Sequence, residues 1–492
     1  MELTTDLEAR LRELAASESI EVRENGARVA TFNALSWELR GAPAKPLLRL
    51  WSEQHNLTRR VLAIADHSEQ RLALTVERFG RLKPGRLEFV RLQFTRSTRD
   101  ISREEFCARL TRILSEHFPD ERVESLTISS DLEYSLSRSY ARGLLRNGSS
   151  HWAVLAVSDG ETAEHAENSV SFGLLWLDRA RQVVRRGFVA GLRLIVPKGT
   201  SAAVAHRVLA LRPEMNVEVY ELDTLQESVS RVDPRSAGNV DTWLVPRREA
   251  QSLLDQAKAR IEGIVARFPQ AITVHPAVQS GEVWLRFRGL AFARWDDGNV
   301  FFGSGDPRTK LTSASEPALS QLLNALEVHR HPLASETRHS LYRQQAERWL
   351  ESIVRQDVTR IDAALDSRFV YAQVFANSYG ERSILDVLTV TRAGRLAILE
   401  LKTTEHIHLP LQAADYWLRI RRHLLQGDFP RYGYFTGIEL QPAPPIVYLV
   451  APSLRFHPTT GMLLRHLSSE MEIVRVGLAE SWRRGLRVVM RQ

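Results

Sequence analysis

The chain has 492 residues, 43% of them hydrophobic and 25% charged, which is the composition of globular domains and too much chain for one ordinary core, so roughly two to four domains are expected. No apolar run reaches the roughly 18 to 20 residues that span a bilayer, the opening MELTTDLEARLRELAAS lacks the basic and then apolar pattern of a signal peptide, and the single Cys107 excludes an internal disulfide or a thiolate metal cluster. A cytoplasmic protein with no membrane partner is expected, and its net charge of +7 suits a polyanion without establishing one.

The first segment, 1–97, opens on a short helix and then reads mainly as strands: ARVATFNALSWEL, RRVLAIAD, RLALTVERFG and RLEFVRLQF. Basic residues interleaved with Trp37, Trp51, Phe79 and Phe89 make it a candidate nucleic-acid platform, against the plainer reading of core aromatics under a charged surface. From 98 to 224 two helical stretches lead into the strand HWAVLAVSD, a helix around VSFGLLWLDRARQ, the strand GLRLIVPKG, the helix SAAVAHRVLALR and the strand NVEVYEL. Strands alternating with helices predict an α/β layer with a parallel component. The segment 225–335 is read as a connector, with ESVSRVDPRSAGNVDT as a linker, then one amphipathic helix, then a small β element around the turn DDG.

The final domain, 336–492, begins with LYRQQAERWLESIVRQDVTRIDAAL, where Trp349, Leu350, Ile353 and Val354 recur at helical spacing. A strand FVYAQVFAN, a turn at Tyr379 and Gly380, a strand RSILDVLTVT, the turn RAGR with Gly394, and a strand LAILELKTT follow. Paired antiparallel strands joined by that turn place Asp386 beside Glu400, while alternation puts Glu400 and Lys402 on one face and Leu399 and Leu401 in the core. Two carboxylates that close repel unless a cation lies between them, and oxygen-only ligands favour Mg²⁺ or Mn²⁺. An adjacent ammonium orients an attacking water and offsets charge developing on a phosphate. Lysine stands at only six positions in the chain, which makes Lys402 more informative.

This constellation resembles the PD-(D/E)xK nuclease superfamily, in which a motif aspartate, an E-x-K pair and a glutamate on the first helix form the metal site. The matching residues are Asp386 in ILDVL, Glu400 and Lys402 in ILELKTT, and Glu347 in AERWL, with Glu351 one turn further as its rival. Gln412 and Tyr416 in LPLQAADYWLRIRRHL reproduce the Q-x-x-x-Y signature of RecB-like nucleases, and their i, i+4 spacing puts both on one helix face. Leu385 stands where the family usually has proline. The resemblance implies a restriction-endonuclease-like αβββαβ core within an α/β (α+β) protein. It also implies Mg²⁺ or Mn²⁺ held by Asp386, Glu400 and Glu347, and hydrolysis of phosphodiester bonds in nucleic acid, DNA before RNA, for repair, recombination or defence. A homodimer is among the assemblies it allows. The alternative from another class is a non-catalytic nucleic-acid-binding protein that retains the fold. His406 and His408 in EHIHLP are read as solvated loop histidines rather than a metal pair. No G-x-x-x-x-G-K-[ST] loop is present, against an ATP-driven motor in the chain.

The middle segment aligns with this domain. HWAVLAVSD falls on RLAILELKT, LLWLDRAR on DYWLRIRR, LRLIVPKG on VYLVAPSL and PEMNVEVYEL on SEMEIVRVGL, so Glu400 falls on Ala156 and Lys402 on Ser158. A methyl group holds no metal, so a duplicated, inactive nuclease-like copy is expected there.

Overall fold

A computed structural model describes all residues except 1, 16–19, 25–26, 33–35, 43, 52–55, 69–70, 78–83, 92–97, 130, 132–133, 238–241, 373 and 377–384. The turn expected at Tyr379 and Gly380 lies outside the described residues. The chain divides into two compact units, one of Met1–Val240 with Glu405–Leu411 and His457–Ser468, the other of Asp241–Thr404, Gln412–Phe456 and Ser469–Gln492. The architecture is mixed α+β throughout.

In the first unit, helix α1 (Glu2–Ala15) places Leu7, Leu11 and Leu14 along one stripe, buried with Val22, Leu74 and Phe89 of an antiparallel sheet. That sheet comprises β1 (Ile20–Glu24), β2 (Ala27–Phe32), β3 (Ser36–Arg40), β4 (Leu47–Trp51), β5 (Asn56–Ser68), β6 (Arg71–Glu77) and β7 (Gly85–Arg91), in the order β2-β1-β7-β6-β5-β4-β3. Phe89 is wholly buried and Trp37 packs against the same core, so these two aromatics serve packing rather than base stacking. Phe79 and the Trp51 side chain lie outside the described residues.

The unit continues with α2 (Thr98–His117), β8 (Arg122–Thr127), β9 (Tyr140–Asn147), β10 (Ser150–Val157), α3 (Ala163–Val183), β11 (Phe188–Pro197), α4 (Ser201–Val208), β12 (Val217–Asp223), β13 (Ser228–Val232) and α5 (Pro234–Ala237). The sheet order is β13-β12-β11-β10-β9-β8, with β10, β11 and β12 parallel and β9 and β13 antiparallel to their neighbours. The boundary expected at 224 is therefore too early. SVSRV, read as linker, is an edge strand that buries only Val229, and a strand with one solvated side and three polar residues looks like a loop in sequence.

The second unit opens with β14 (Trp243–Leu244), α6 (Arg247–Val265) and a five-stranded antiparallel sheet: β15 (Ile272–Ala277), β16 (Glu282–Phe287), β17 (Leu290–Asp296), β18 (Asn299–Phe302) and β19 (Thr309–Lys310). The expected DDG turn joins β17 to β18, with Asp297 and Gly298 both at positive φ, the conformation a two-residue hairpin needs. Helices α7 (Glu316–His329), α8 (Ser340–Arg343) and α9 (Ala346–Gln356) lead to β20 (Phe375–Ala376), β21 (Val387–Val390), β22 (Leu396–Leu401), α10 (Leu409–Leu425), α11 (Asp428–Arg431), β23 (Ile446–Pro452), α12 (Thr460–Leu464), β24 (Ile473–Leu478) and β25 (Val488–Arg491). Of these, α12 and the first turn of α10 fall in the first unit.

The last sheet has the order β21-β22-β23-β24-β25, with β22, β23 and β24 parallel and the outer two strands antiparallel. Strand directions and order repeat those of β9 to β13, with α10 crossing over where α3 does. One expectation needs correction. Among the described residues FVYAQVFAN meets the next strand at one bridge, Tyr371 with Leu388, and β20 pairs with β14 instead.

Candidate active site

The site is built by the β21–β22 hairpin. Val387 pairs with Leu399, so the residues one step outward, Asp386 and Glu400, stand opposite each other. Gly394 in the connecting turn has φ +89, and an added Cβ would lie 2.1 Å from the Glu439 carbonyl oxygen, so this turn requires glycine. Leu399 and Leu401 enter the hydrophobic core, which commits Glu400 to the opposite face.

Asp386 is anchored through Oδ2, which accepts the Leu401 backbone N–H at 2.9 Å. Glu400 is 2% exposed, and its Oε1 accepts from Lys402 Nζ at 3.1 Å. Its other oxygen, Oε2, is buried with no hydrogen-bond partner. Burial, and then the charge of Glu400, push the Asp386 carboxyl well above the usual carboxylate range. Burial raises Glu400 as well, with Glu347 adding to the rise and Lys402 opposing it. Although burial disfavours the charged form of Lys402, the carboxylates of Glu400, Glu347 and Asp386 hold its ammonium above the ordinary lysine range.

Helix α9 separates the two candidate glutamates. The Glu347 carboxylate, 41% exposed, faces Lys402 Nζ at 3.8 Å. Glu351 is buried and held by Arg348 at 2.6 Å and Arg355 at 3.5 Å. Arg348 also reaches Asp386 Oδ1 at 3.6 Å, and Arg355 donates to His275 Nδ1 at 3.2 Å. Among the described residues no three His, Cys, Asp or Glu side chains stand at metal-ligand spacing. Asp386 and Glu400 stand opposite each other across the hairpin, and Glu347, in the first turn of α9, faces the Lys402 ammonium.

On α10, the Gln412 side-chain oxygen is buried without a hydrogen-bond partner. Tyr416 is buried, and burial together with the charges of Glu400 and Asp386 suppresses its ionisation strongly. Of the two histidines past β22, His408 departs from expectation. His408 is buried, bonds Ser171 Oγ at 2.9 Å and meets Phe172 edge-on at 5.2 Å, and burial holds it neutral. Sequence reasoning passed over Arg348, Arg355, Arg286 and His275 around α9; the signal available was arginines recurring at 348 and 355 on the glutamate-bearing helix.

The residues fit a hard divalent cation on two observations: a carboxylate pair in which burial and the Glu400 charge raise the proton affinity of Asp386, and a buried Glu400 oxygen with no donor. Oxygen donors suit Mg²⁺ or Mn²⁺ over softer metals.

In the middle sheet the corresponding register puts Ala141 opposite Ala156, both buried. Ser158 there accepts the Gly160 N–H at 3.2 Å, and Arg103 closes on Glu161 at 2.6 Å and on Ser139 Oγ at 3.0 Å.

No family model and no curated protein matches the chain. Among solved structures, the crystal structure of a repair endonuclease from Pyrococcus abyssi aligns at 11% identity over 44% of this chain and 94% of that one, with a TM-score of 0.16. At so slight a likeness, function rests on the geometry of the site.

Proposed function

We propose that the carboxy-terminal domain is a metal-dependent nuclease of the PD-(D/E)xK type that hydrolyses phosphodiester bonds, with DNA as its substrate in repair, recombination or defence. The observation that carries this reading is the buried Asp386–Glu400 pair with Lys402 against it and one Glu400 oxygen without a donor. Asp386 and Glu400 would hold Mg²⁺ or Mn²⁺, which when bound supplies Lewis acidity toward a phosphate oxygen and an acidified water.

The chain's own residues account for the rest. Leu401 N–H fixes one oxygen of Asp386, and the other lies 3.6 Å from Arg348. The Lys402 ammonium, kept charged by three carboxylates, offers protons that Glu400 does not use to a water or a non-bridging phosphate oxygen. Glu347 helps to hold that ammonium in place. Tyr416, kept neutral, and Gln412, whose buried oxygen has no hydrogen-bond partner, would orient water at the pair.

The middle domain, with the same strand order but Ala141 and Ala156 at the carboxylate positions, is read as a non-cutting copy. The test is cleavage of plasmid and linear DNA by the full chain with Mg²⁺ or with EDTA, for wild type and Asp386→Asn. Metal-dependent cleavage lost in the variant supports the reading. Nucleic-acid binding without cleavage by wild type replaces it with a non-catalytic binding protein.

A further inference from the structure

Behind the carboxylate pair one guanidinium has no carboxylate of its own. Glu351 is a buried carboxylate shared by Arg348 and Arg355, and a third guanidinium, Arg286 of β16, lies in the field of all three. The placement of Arg286 is imposed by the backbone. Arg288 and Gly289 make the tight β16–β17 turn at positive φ, and a Cβ on Gly289 would meet the Arg348 carbonyl carbon and oxygen at 2.2 Å, so the strand end is pressed onto the start of α9. No ion pair of Arg286 occurs among the described residues, and its Nε is buried without a hydrogen-bond partner. Burial and then the neighbouring Arg348 charge pull Arg286 down to about 10. His275 does not relieve the excess, since burial and these same arginines keep it neutral and its Nδ1 accepts from Arg355.

Glu351 offsets Arg348 and Arg355, and Asp386 lies 3.6 Å from Arg348, so Arg286 is the guanidinium left without an ion pair among the described residues, and a largely buried charge costs free energy unless an anion offsets it. Arg348 and Arg355 are each about a quarter exposed, so a ligand can reach them, and Arg348 touches Asp386. Planar guanidiniums match phosphate oxygens in pairs.

We propose that Arg286, Arg348 and Arg355 form a subsite for a backbone phosphate of the nucleic acid, adjacent to the phosphate at the Asp386–Glu400 pair, a proposal that rests on the nuclease reading. The subsite gives the strand a second fixed point beside the scissile bond and so sets which bond faces the carboxylates.

The full chain tests this with two probes. Binding of a short labelled duplex in EDTA, measured across a salt series, reports phosphate contacts, each worth about 0.9 in the slope of log affinity against log salt. Arg286→Gln and Arg355→Gln should each lower that slope by about one contact, and Arg355→Lys should keep it. Inorganic phosphate should raise the wild-type Tm beyond chloride of equal ionic strength, and Arg286→Gln should lose that increment. In chloride Arg286→Gln should melt no lower than wild type, since it removes a repelled charge, whereas an arginine that serves only structure would be missed. An unchanged slope or a surviving phosphate increment in Arg286→Gln overturns the subsite. Absence of metal-dependent cleavage by wild type removes the nuclease reading separately, and the phosphate increment still decides whether the arginines bind the anion.

Discussion

Asp386 and Glu400 are destabilising as carboxylates in the metal-free protein, and this fixes the sign of two measurements. Their folded values are raised above the ordinary 3.8 and 4.5. A group raised on folding contributes stability that is full below its ordinary value and is lost as pH climbs through its folded value. Metal-free wild type should therefore lose Tm as pH rises from below 4 into the neutral range, and Asp386→Asn should flatten that loss. If removing the charge is worth about 1 kcal/mol, the variant melts about 2–4 °C higher at neutral pH while losing cleavage. A variant that melts lower at neutral pH would contradict the electrostatic account. Lys402 divides differently, because an ammonium donates and cannot ligate a cation. Lys402→Ala should still bind Mn²⁺ in calorimetry yet cleave about a hundredfold more slowly, the scale of losing one preorganised donor. Equal loss of both would make the lysine structural. These three residues were legible in sequence because AILEL and ILDVL embed charges in apolar strands, a pattern core packing alone does not produce. Arg286 was not, since an arginine on an alternating strand reads as solvated until the helix it faces is known.

At the scale of elements, the hairpin sets the site. Gly394 is required both by its φ of +89 and by the Glu439 carbonyl oxygen, so Gly394→Ala must shift the turn. The expected cost is about 1–3 kcal/mol from backbone strain, read as a lower Tm, and activity should fall further than stability because Asp386 leaves its place opposite Glu400. Full activity in a merely destabilised variant would show that the register survives. The same turn explains why β21 and β22 could be read correctly, while β20 could not: two residues pairing with Trp243 and Leu244 carry no periodicity, and their partner lies far upstream. The start of α9 was equally hidden. Gln345 takes a left-handed conformation at φ 46, breaking what the apolar spacing presents as one longer helix.

Over the whole molecule, two sheets share one strand order, yet only one has carboxylates at the paired positions. Calorimetry with Mn²⁺ on the full chain should give one class of tight site that disappears in Asp386→Asn, and a second site persisting in that variant would show that the middle domain binds metal after all. The shared strand order was legible from hydrophobic rhythm, since β10 and β22 are near-continuous apolar strands. What rhythm could not reveal is the interleaving of the chain. Residues 405–411 and 457–468 are sequence neighbours of β22, β23 and β24 but belong to the first compact unit, where His408 lies against Ser171 and Phe172. On a ribosome, which releases the amino-terminal part first, that unit cannot close when residue 240 emerges. Its surface around Phe172 waits for His408, which follows β21 and β22 in the chain, so that hairpin is already synthesised when the first unit finishes folding.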